Sequence, residues 1–218
     1  MSIEIFMKAE IKTFINPNIF SSNIYVVKWE STTIVIDCWF YDWDFKGYLK
    51  EIWKVDALLL THWHWDHIRA VDELVKDYPN TKVYIHSQDK ELLTNTELNC
   101  SFLVWRKAIE IQSKVNFLEW WDITIWEFTI NIIHVPGHTN WCAMFYFRDL
   151  DILFLWDTVM EDSIWTLRTP TWDANKMEAS LGKFRHLWLP ENTQCYPWHW
   201  DVCSYWEILR INPFLHMR

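Results

Sequence analysis

Three histidines and an aspartate lie within six residues of this chain, in the sequence His62-Trp63-His64-Trp65-Asp66-His67. The stretch follows an apolar run at residues 55–60, which predicts a buried strand. Imidazole nitrogens and carboxylate oxygens are common ligands of zinc and similar ions. Because each buried polar group would otherwise need its own partner, four at this density are hard to place as structural residues. The stretch therefore predicts the first half of a two-metal hydrolytic site.

Hydrophobic periodicity predicts strands and helices along the whole chain. Strands are expected at residues 24–27, 32–37, 55–60, 82–86, 115–118, 123–125, 128–135, 142–147, 152–155 and 194–196. Helices are expected at residues 44–52, 66–78, 174–187 and 205–210. Two β-rich halves flanked by helices predict an α/β (α+β) fold, a four-layer αββα sandwich, in one domain spanning residues 1–218.

Three further ligand candidates each follow a predicted strand: His138 after Val-Pro-Gly, Asp157 after Phe-Leu-Trp, and His199 after Tyr-Pro-Trp. The ends of strands are where α/β proteins commonly place their sites. Asp37 also ends a strand, and it has two open interpretations, as support for a ligand histidine or as a plain turn residue. The remaining histidines match no ligand position, and we expect them to be structural: His86, His134, His186 and His216.

Composition narrows the class of protein. The formal net charge of −9 disfavours nucleic acid as a partner, because phosphate binding draws on Lys and Arg. No apolar run reaches the ~18 residues of a membrane span. Residues 1–14 alternate in the manner of a strand and have no continuous apolar segment typical of a secretory signal. The five cysteines are scattered, which predicts a reducing, cytoplasmic location without a disulfide framework.

The chain contains 18 Trp and only 3 Gly, although glycine usually makes up about 7% of a domain. Glycine is needed at turns and helix ends, and here tryptophans cluster at such breaks rather than at core spacing. We expect that most of them replace glycines of a parent sequence. An indole that fits into an undistorted loop at Trp156 or Trp198 would count against this hypothesis.

The motif at residues 62–67, followed by Pro136-Gly-His-Thr, by Asp157 and by His199, resembles the metallo-β-lactamase-fold hydrolases. The order and spacing look most like short members of the glyoxalase II (hydroxyacylglutathione hydrolase) branch, and the C-terminal Asn212-Pro-Phe-Leu is similar to theirs. The resemblance covers residues 23–215. It implies a metallo-β-lactamase-type sandwich and a hydrolase that contains two metals.

By that resemblance, His62, His64 and His138 would hold one metal. Asp66, His67 and His199 would hold the second, and Asp157 would bridge the two. Asp66 would also orient a hydroxide held between the metals, which attacks the carbonyl of a small acyl thioester or ester substrate. Zinc is the expected metal, while iron and manganese accept the same ligand types.

The sequence departs from that family in two respects. Related hydrolases usually have glycine at the positions of Trp39, Trp63, Trp141, Trp156, Trp198 and Trp200, and indoles there would overfill the cleft. In residues 163–170 the arginine of the family's Ser-Ile-Gly-Arg run is displaced to Arg168. We also expect this chain to lack the basic C-terminal extension that longer glyoxalase II enzymes use to hold glutathione. A lactonase or other ester hydrolase of the same fold, and a catalytically impaired metal-binding variant, therefore remain alternatives.

Overall fold

The computed structural model describes residues 9–15, 22–102, 108–119, 122–165, 168–198 and 201–216. The first sheet contains, in sequence order, β1 (Glu10–Phe14), β2 (Ile24–Trp29), β3 (Thr32–Ile36), β4 (Ala57–Leu59), β5 (Lys82–His86) and β6 (Val115–Leu118). The second sheet has the order β12 (Cys203–Ser204), β11 (Gln194–Tyr196), β10 (Ile152–Phe154), β9 (Ala143–Phe147), β8 (Phe128–His134) and β7 (Ile123–Ile125).

Five α-helices lie wholly within the described ranges: α1 (Trp43–Ile52), α2 (Trp65–Ile68), α3 (Val71–Asp77), α4 (Ala174–Arg185) and α5 (Tyr205–Ile211). Short 3-10 helices lie at Ser87–Leu93, Arg148–Leu150 and Pro213–Leu215. None of the described helices is both long and apolar enough to cross a membrane.

Three apolar clusters separate the layers. Alternate residues of β3 point to opposite sides of the first sheet, so that Ile34 and Ile36 lie between the sheets while Val35 faces α1–α3. Phe145 and Phe154 of the second sheet complete the central cluster. The outer cluster of the second sheet packs against α4 and α5. This arrangement confirms the predicted four-layer αββα sandwich.

Parallel pairing brings the ends of strands together. β3, β4, β5 and β6 are parallel neighbours, so residues that follow β3 and β4 emerge at one edge of the first sheet. In the second sheet β10 and β11 are parallel, and the residues after both strands emerge together. These two edges carry Asp37, the 62–67 motif and Asp157.

The helix predicted at residues 66–78 is wrong in one respect, because it is divided into α2 and α3. The loop after β3 causes the break. The backbone of Cys38 donates to the carbonyl of His67 (2.8 Å) and accepts from the N–H of Ala70 (2.9 Å), so these groups are not available to a continuous helix. Other predicted elements agree within a few residues, whereas β12 and the 3-10 helices were not predicted.

Three exposed tryptophans have left-handed backbones: Trp53 (φ 62°) after α1, Trp126 (φ 52°) in the turn between β7 and β8, and Trp188 (φ 53°) after α4. In this region the Cβ of an L-residue crowds the backbone, and glycine is the usual occupant of such a helix C-cap. The conformation at these three positions supports the hypothesis that tryptophan stands where a parent chain has glycine.

We expect Trp53→Gly to raise the free energy of unfolding by about 1 kcal/mol, because strain is relieved at a side chain that is 86% exposed. The matched control is Trp43→Gly in the first turn of α1, where the tryptophan is 85% exposed but does not have a left-handed backbone. The control should leave stability unchanged or lower it. Urea denaturation measures both variants, and a loss of stability in Trp53→Gly would contradict the strain argument.

Candidate metal centre

The loop after β4 is fixed on two sides before it reaches the histidines. Thr61 donates from its backbone N–H to Asp37 Oδ1 (3.0 Å) and from its hydroxyl to Asp37 Oδ2 (2.9 Å). Its carbonyl accepts from the N–H of Ala143 in β9 (3.2 Å). The loop is therefore tied both to the end of β3 and to the second sheet.

Three imidazole nitrogens form a small triangle. His62 Nε2 lies 3.1 Å from His64 Nδ1, which lies 2.8 Å from His138 Nε2, and the third edge is 3.2 Å. Tetrahedral zinc with Zn–N bonds of ~2.0–2.1 Å would separate its nitrogen ligands by ~3.3 Å. The triangle therefore has nearly the dimensions of one face of a zinc coordination sphere.

Asp157 lies beside this triangle. Its Oδ2 is 2.8 Å from His138 Nε2 and 3.6 Å from His62 Nε2, and it is also 3.8 Å from His67 Nε2. One ligand atom from each of His62, His64, His138 and Asp157 lies within 4.8 Å of the others, and all four side chains are buried. The same carboxylate oxygen thus lies between the triangle and His67.

His67 is held from its other ring nitrogen. Nδ1 forms a hydrogen bond with Asp37 Oδ2, and both side chains are fully buried. Burial alone would lower the pKa of His67, but the carboxylate of Asp37 outweighs it and raises that pKa to about 9. Nε2 has no hydrogen-bond partner among the described residues, and it faces Asp157. This hydrogen bond favours the interpretation of Asp37 as support for a candidate ligand histidine over that of a plain turn residue.

Burial also controls the charge of the other groups. It lowers the pKa of His62, His64 and His138 well below the ordinary value, and neighbouring imidazoles lower these pKa values further. Burial raises the pKa of Asp66 to about 7, with a further increase from Asp157 and an opposing effect from His67. The three histidines are therefore neutral at physiological pH, which is the form that binds a metal.

The donor set fits the metals that the sequence implies. The three imidazole nitrogens lie 2.8–3.2 Å from one another, so their lone pairs face each other when the rings are neutral. A single proton can form a hydrogen bond between only two of the three nitrogens at a time. A divalent cation at the centre would satisfy all three together with Asp157 Oδ2. The buried Nε2 of His67 lies next to the same carboxylate and would offer a further metal donor once it loses its proton.

His138 is positioned by Gly137, which follows β8. Gly137 has φ +140°, and a Cβ at this position would lie 2.5 Å from Cα and 2.6 Å from N of Met177 in α4. Its carbonyl accepts from the N–H of Asp173 (2.8 Å), the residue that caps α4. The carbonyl of His138 accepts from the Thr169 hydroxyl (2.9 Å). Close approach of α4 thus fixes the loop that carries His138.

The remaining predicted site residues are placed as follows. Asp66 lies in the first turn of α2, where Asp157 and His67 influence its pKa. His199 and Trp200 lie outside the described residues. Arg168 is exposed, and its guanidinium lies 5.3 Å from the ring centre of Trp172. His86 and His134 stack near Trp141 away from the triangle, and His186 and His216 are exposed.

Four of the tryptophans at positions where the family usually has glycine fit inside the structure. Trp39, Trp63, Trp156 and Trp198 are buried, and none has a left-handed backbone. The indole of Trp156 donates to Asp37 Oδ2 (2.8 Å). The fit of full indoles at Trp156 and Trp198 counts against the glycine hypothesis at these two positions.

Two supporting residues were missed by sequence reasoning. Asn23 donates from its backbone to the carbonyl of Trp198 (2.9 Å) and from its side chain to that of Pro197 (3.1 Å), which also accepts from the Tyr25 hydroxyl. These bonds fix the segment that directly precedes His199. No local pattern signals them, because more than 170 residues separate the partners.

We expect Asp37→Asn to lower the pKa of His67 from about 9, because the carboxylate that raises it is lost. Metal affinity should fall by about 10–100-fold, the usual effect of losing a partner that orients a ligand histidine. NMR titration and competition with a chelator measure the two effects. Asp149→Asn, an exposed carboxylate that caps the Thr129 N–H, is the control. Equal metal affinity in the two variants would contradict this role of Asp37.

We expect Gly137→Ala to lower the free energy of unfolding by about 1–3 kcal/mol, because the new methyl group would overlap the backbone of α4. The control is Gly47→Ala inside α1, where no atom lies within 4 Å of the added Cβ. There the substitution should stabilise by about 0.5–1 kcal/mol. Thermal denaturation compares the two, and a neutral Gly137→Ala would show that the loop can move away from α4 freely.

Comparison with known proteins places this geometry in a family. A family model described as the metallo-beta-lactamase superfamily matches residues 17–193. The probable metallo-hydrolase YqgX of Bacillus subtilis (strain 168) is 30% identical over 165 residues, covering 73% of this chain and 75% of that protein. The hydroxyacylglutathione hydrolase of Francisella tularensis subsp. novicida is 25% identical over 203 residues, covering 90% and 68%.

Solved structures agree with this result. The crystal structure of the BLEG-1 B3 metallo-beta-lactamase has a TM-score of 0.86 at 26% identity, covering 95% of this chain and 100% of that one. TTHA1623, in a di-iron-bound form, has a TM-score of 0.79 at 26% identity, covering 92% and 98%. With a family model that matches most of its length and a buried His/Asp cluster at the expected strand ends, this chain belongs to the metallo-β-lactamase superfamily.

Proposed function

We propose that the chain is a binuclear metallohydrolase that cleaves a small acyl thioester. His62, His64 and His138 would hold one divalent metal, and Asp66, His67 and His199 the second, with Asp157 shared between them. Zinc fits the spacing of the nitrogen triangle, and iron remains compatible with the same donors.

One observation carries the proposal: a single carboxylate oxygen lies next to two separate imidazole groups. Asp157 Oδ2 is 2.8 Å from His138 Nε2 in the triangle and 3.8 Å from His67 Nε2 outside it. A buried carboxylate in this position could be shared by two cations, one at the triangle and one beside His67, and would offset part of their charge. Metals bound there would lower the pKa of water towards ~7 and polarise a carbonyl oxygen.

Two buried cysteines, Cys38 and Cys142, are poorly suited to covalent catalysis. Cys142 is buried 3.1 Å from the Thr139 hydroxyl, and burial raises the pKa of its thiol well above the ordinary value. Cys38, beside Asp37, is buried and its thiol pKa is raised in the same way. Because the thiolate is the reactive form, neither cysteine competes with water as the attacking group. Asp66, whose pKa is raised to about 7, would accept or orient the proton of that water.

The choice of a thioester rests on relatives. The similarity to the Francisella hydroxyacylglutathione hydrolase covers 90% of this chain, although at 25% identity. Arg168 is exposed and leans on Trp172, so it offers no defined pocket for glutathione. We therefore assign the acyl thioester class and leave the thiol open.

A second candidate is hydrolysis of a cyclic ester or amide, such as a lactone or a β-lactam. Its support is the similarity to the BLEG-1 B3 metallo-beta-lactamase, which the chain matches over 100% of that structure. The same nitrogen triangle and carboxylate would serve either reaction, since both begin with attack of water on a carbonyl. A substrate panel separates the two candidates.

The test combines metal quantification with a panel of thioesters, lactones, β-lactams and phosphodiesters. We expect about two divalent metals per chain, preferred hydrolysis of thioesters, and loss of activity after treatment with a chelator. His64→Ala should lower kcat/KM by more than ~100-fold, because it removes a ligand rather than a supporting partner.

His216→Ala is the matched control, because His216 is an exposed histidine far along the chain. It should keep both its metals and its activity. Full activity in His64→Ala would refute the proposal. Hydrolysis of lactones or β-lactams in preference to thioesters would move the assignment to the second candidate.

A further inference from the structure

Two indoles connect opposite sides of the metal centre. The ring of Trp198 stacks on His67 with centroids 5.1 Å apart and an interplanar angle of 19°. Trp165 meets Trp198 edge to face at 5.2 Å, and it meets His138 edge to face at the same distance. The sequence of contacts His67–Trp198–Trp165–His138 therefore spans the centre, from the second proposed metal position to the first.

The two indoles differ in exposure. Trp198 is 2% exposed, and the His67 and His138 rings beneath them have no exposed surface. Trp165 is half-buried, so it forms the outer part of this pair, the part that solvent reaches. A hydrolase needs an open coordination position and a route for its substrate. Among the described residues, Trp165 and Trp198 lie against the rings of His138 and His67, where such a route would have to reach the centre.

The two indoles are also anchored differently. The backbone of Trp198 is fixed to Asn23, and Pro197 beside it is fixed to Asn23 and Tyr25. In the sequence, Trp165 lies between two residues that form hydrogen bonds with distant parts of the chain. The carbonyl of Ser163 accepts from the Asn212 side chain (2.8 Å), and the Thr169 hydroxyl donates to the carbonyl of His138. The indole N–H of Trp165 is buried and meets no acceptor among the described residues. An unmet buried donor costs free energy, which weakens the closed position of this ring.

We propose that Trp165 and Trp198 form an aromatic cap that controls access to the metal centre, with Trp198 as its fixed base and Trp165 as the side chain that determines which substrates enter. The catalytic consequence rests on the proposed hydrolase function, whereas the effect on metal exchange does not. To reach the centre, a substrate must displace Trp165 from its contacts with His138 and Trp198. The cap therefore slows the entry of all acyl groups, and it slows bulky acyl groups most.

The first readout is the rate at which a coloured chelator removes metal from the loaded protein. Trp165→Gly should release metal about tenfold faster, because it loses both edge-to-face contacts that close the centre. Trp165→Phe keeps an aromatic ring and should stay close to the parent rate. Trp188→Gly controls for the loss of an indole elsewhere, since Trp188 is 85% exposed and makes no contact with the metal centre in the described structure.

The second readout is kcat/KM for thioesters with acyl groups of increasing size. Trp165→Gly should gain most on the bulkiest acyl group, while Trp188→Gly should show the parent's size preference. Circular dichroism checks that each variant is folded. Trp198→Phe provides a conservative change at the buried base, and it should accelerate metal release less than Trp165→Gly.

Equal rates of metal release in folded Trp165→Gly and Trp188→Gly would overturn the cap. Faster release in Trp165→Gly without hydrolysis of any thioester would support the cap and count against the proposed hydrolase instead. The two proposals therefore fail in distinguishable ways.

Discussion

Three buried imidazole nitrogens lie within 3.2 Å of one another, an arrangement that a cation between them would stabilise, and contacts elsewhere in the structure hold them there. The nitrogens come from the end of β4 and from the loop after β8, that is, from both sheets. The loop after β4 is held by the hydrogen bonds of Thr61 to Asp37 and to Ala143, and the loop after β8 is held by the close approach of Gly137 to α4. The sandwich thus places two edges against each other so that one charge can occupy the space between them.

The position of His67 and of the loop that carries it depends on Asp37. This carboxylate ends β3, is fully buried, and receives hydrogen bonds from Thr61 and Trp156 while it holds His67. Burial raises the pKa of Asp37, and the proximity of His67 and Thr61 opposes that rise. One residue therefore couples the orientation of the 62–67 loop to the protonation of a candidate ligand. Parallel pairing of β3 with β4 makes this coupling possible, because it places both strand ends at the same edge.

Much of this arrangement could be predicted from the sequence. The spacing of His62, His64 and His67 after an apolar strand indicates a metal motif, and strand periodicity indicates the sandwich. Contacts across long sequence distances could not be predicted, such as Asn23 with Pro197 or Cys38 with the carbonyl of His67, because neither partner carries a local signal. The hypothesis that tryptophans replace glycines holds at some positions and not at others. Left-handed backbones at Trp53, Trp126 and Trp188 support replaced glycines, whereas Trp156 and Trp198 are packed into ordinary backbone.

The most direct test of the central claim is a crystal structure of the metal-loaded protein with anomalous scattering recorded at the metal's absorption edge. The account predicts two peaks, one within bonding distance of His62 Nε2, His64 Nδ1 and His138 Nε2, and a second that shares Asp157 with it. Absence of a peak among the three imidazole nitrogens, in protein that binds metal in solution, would contradict it.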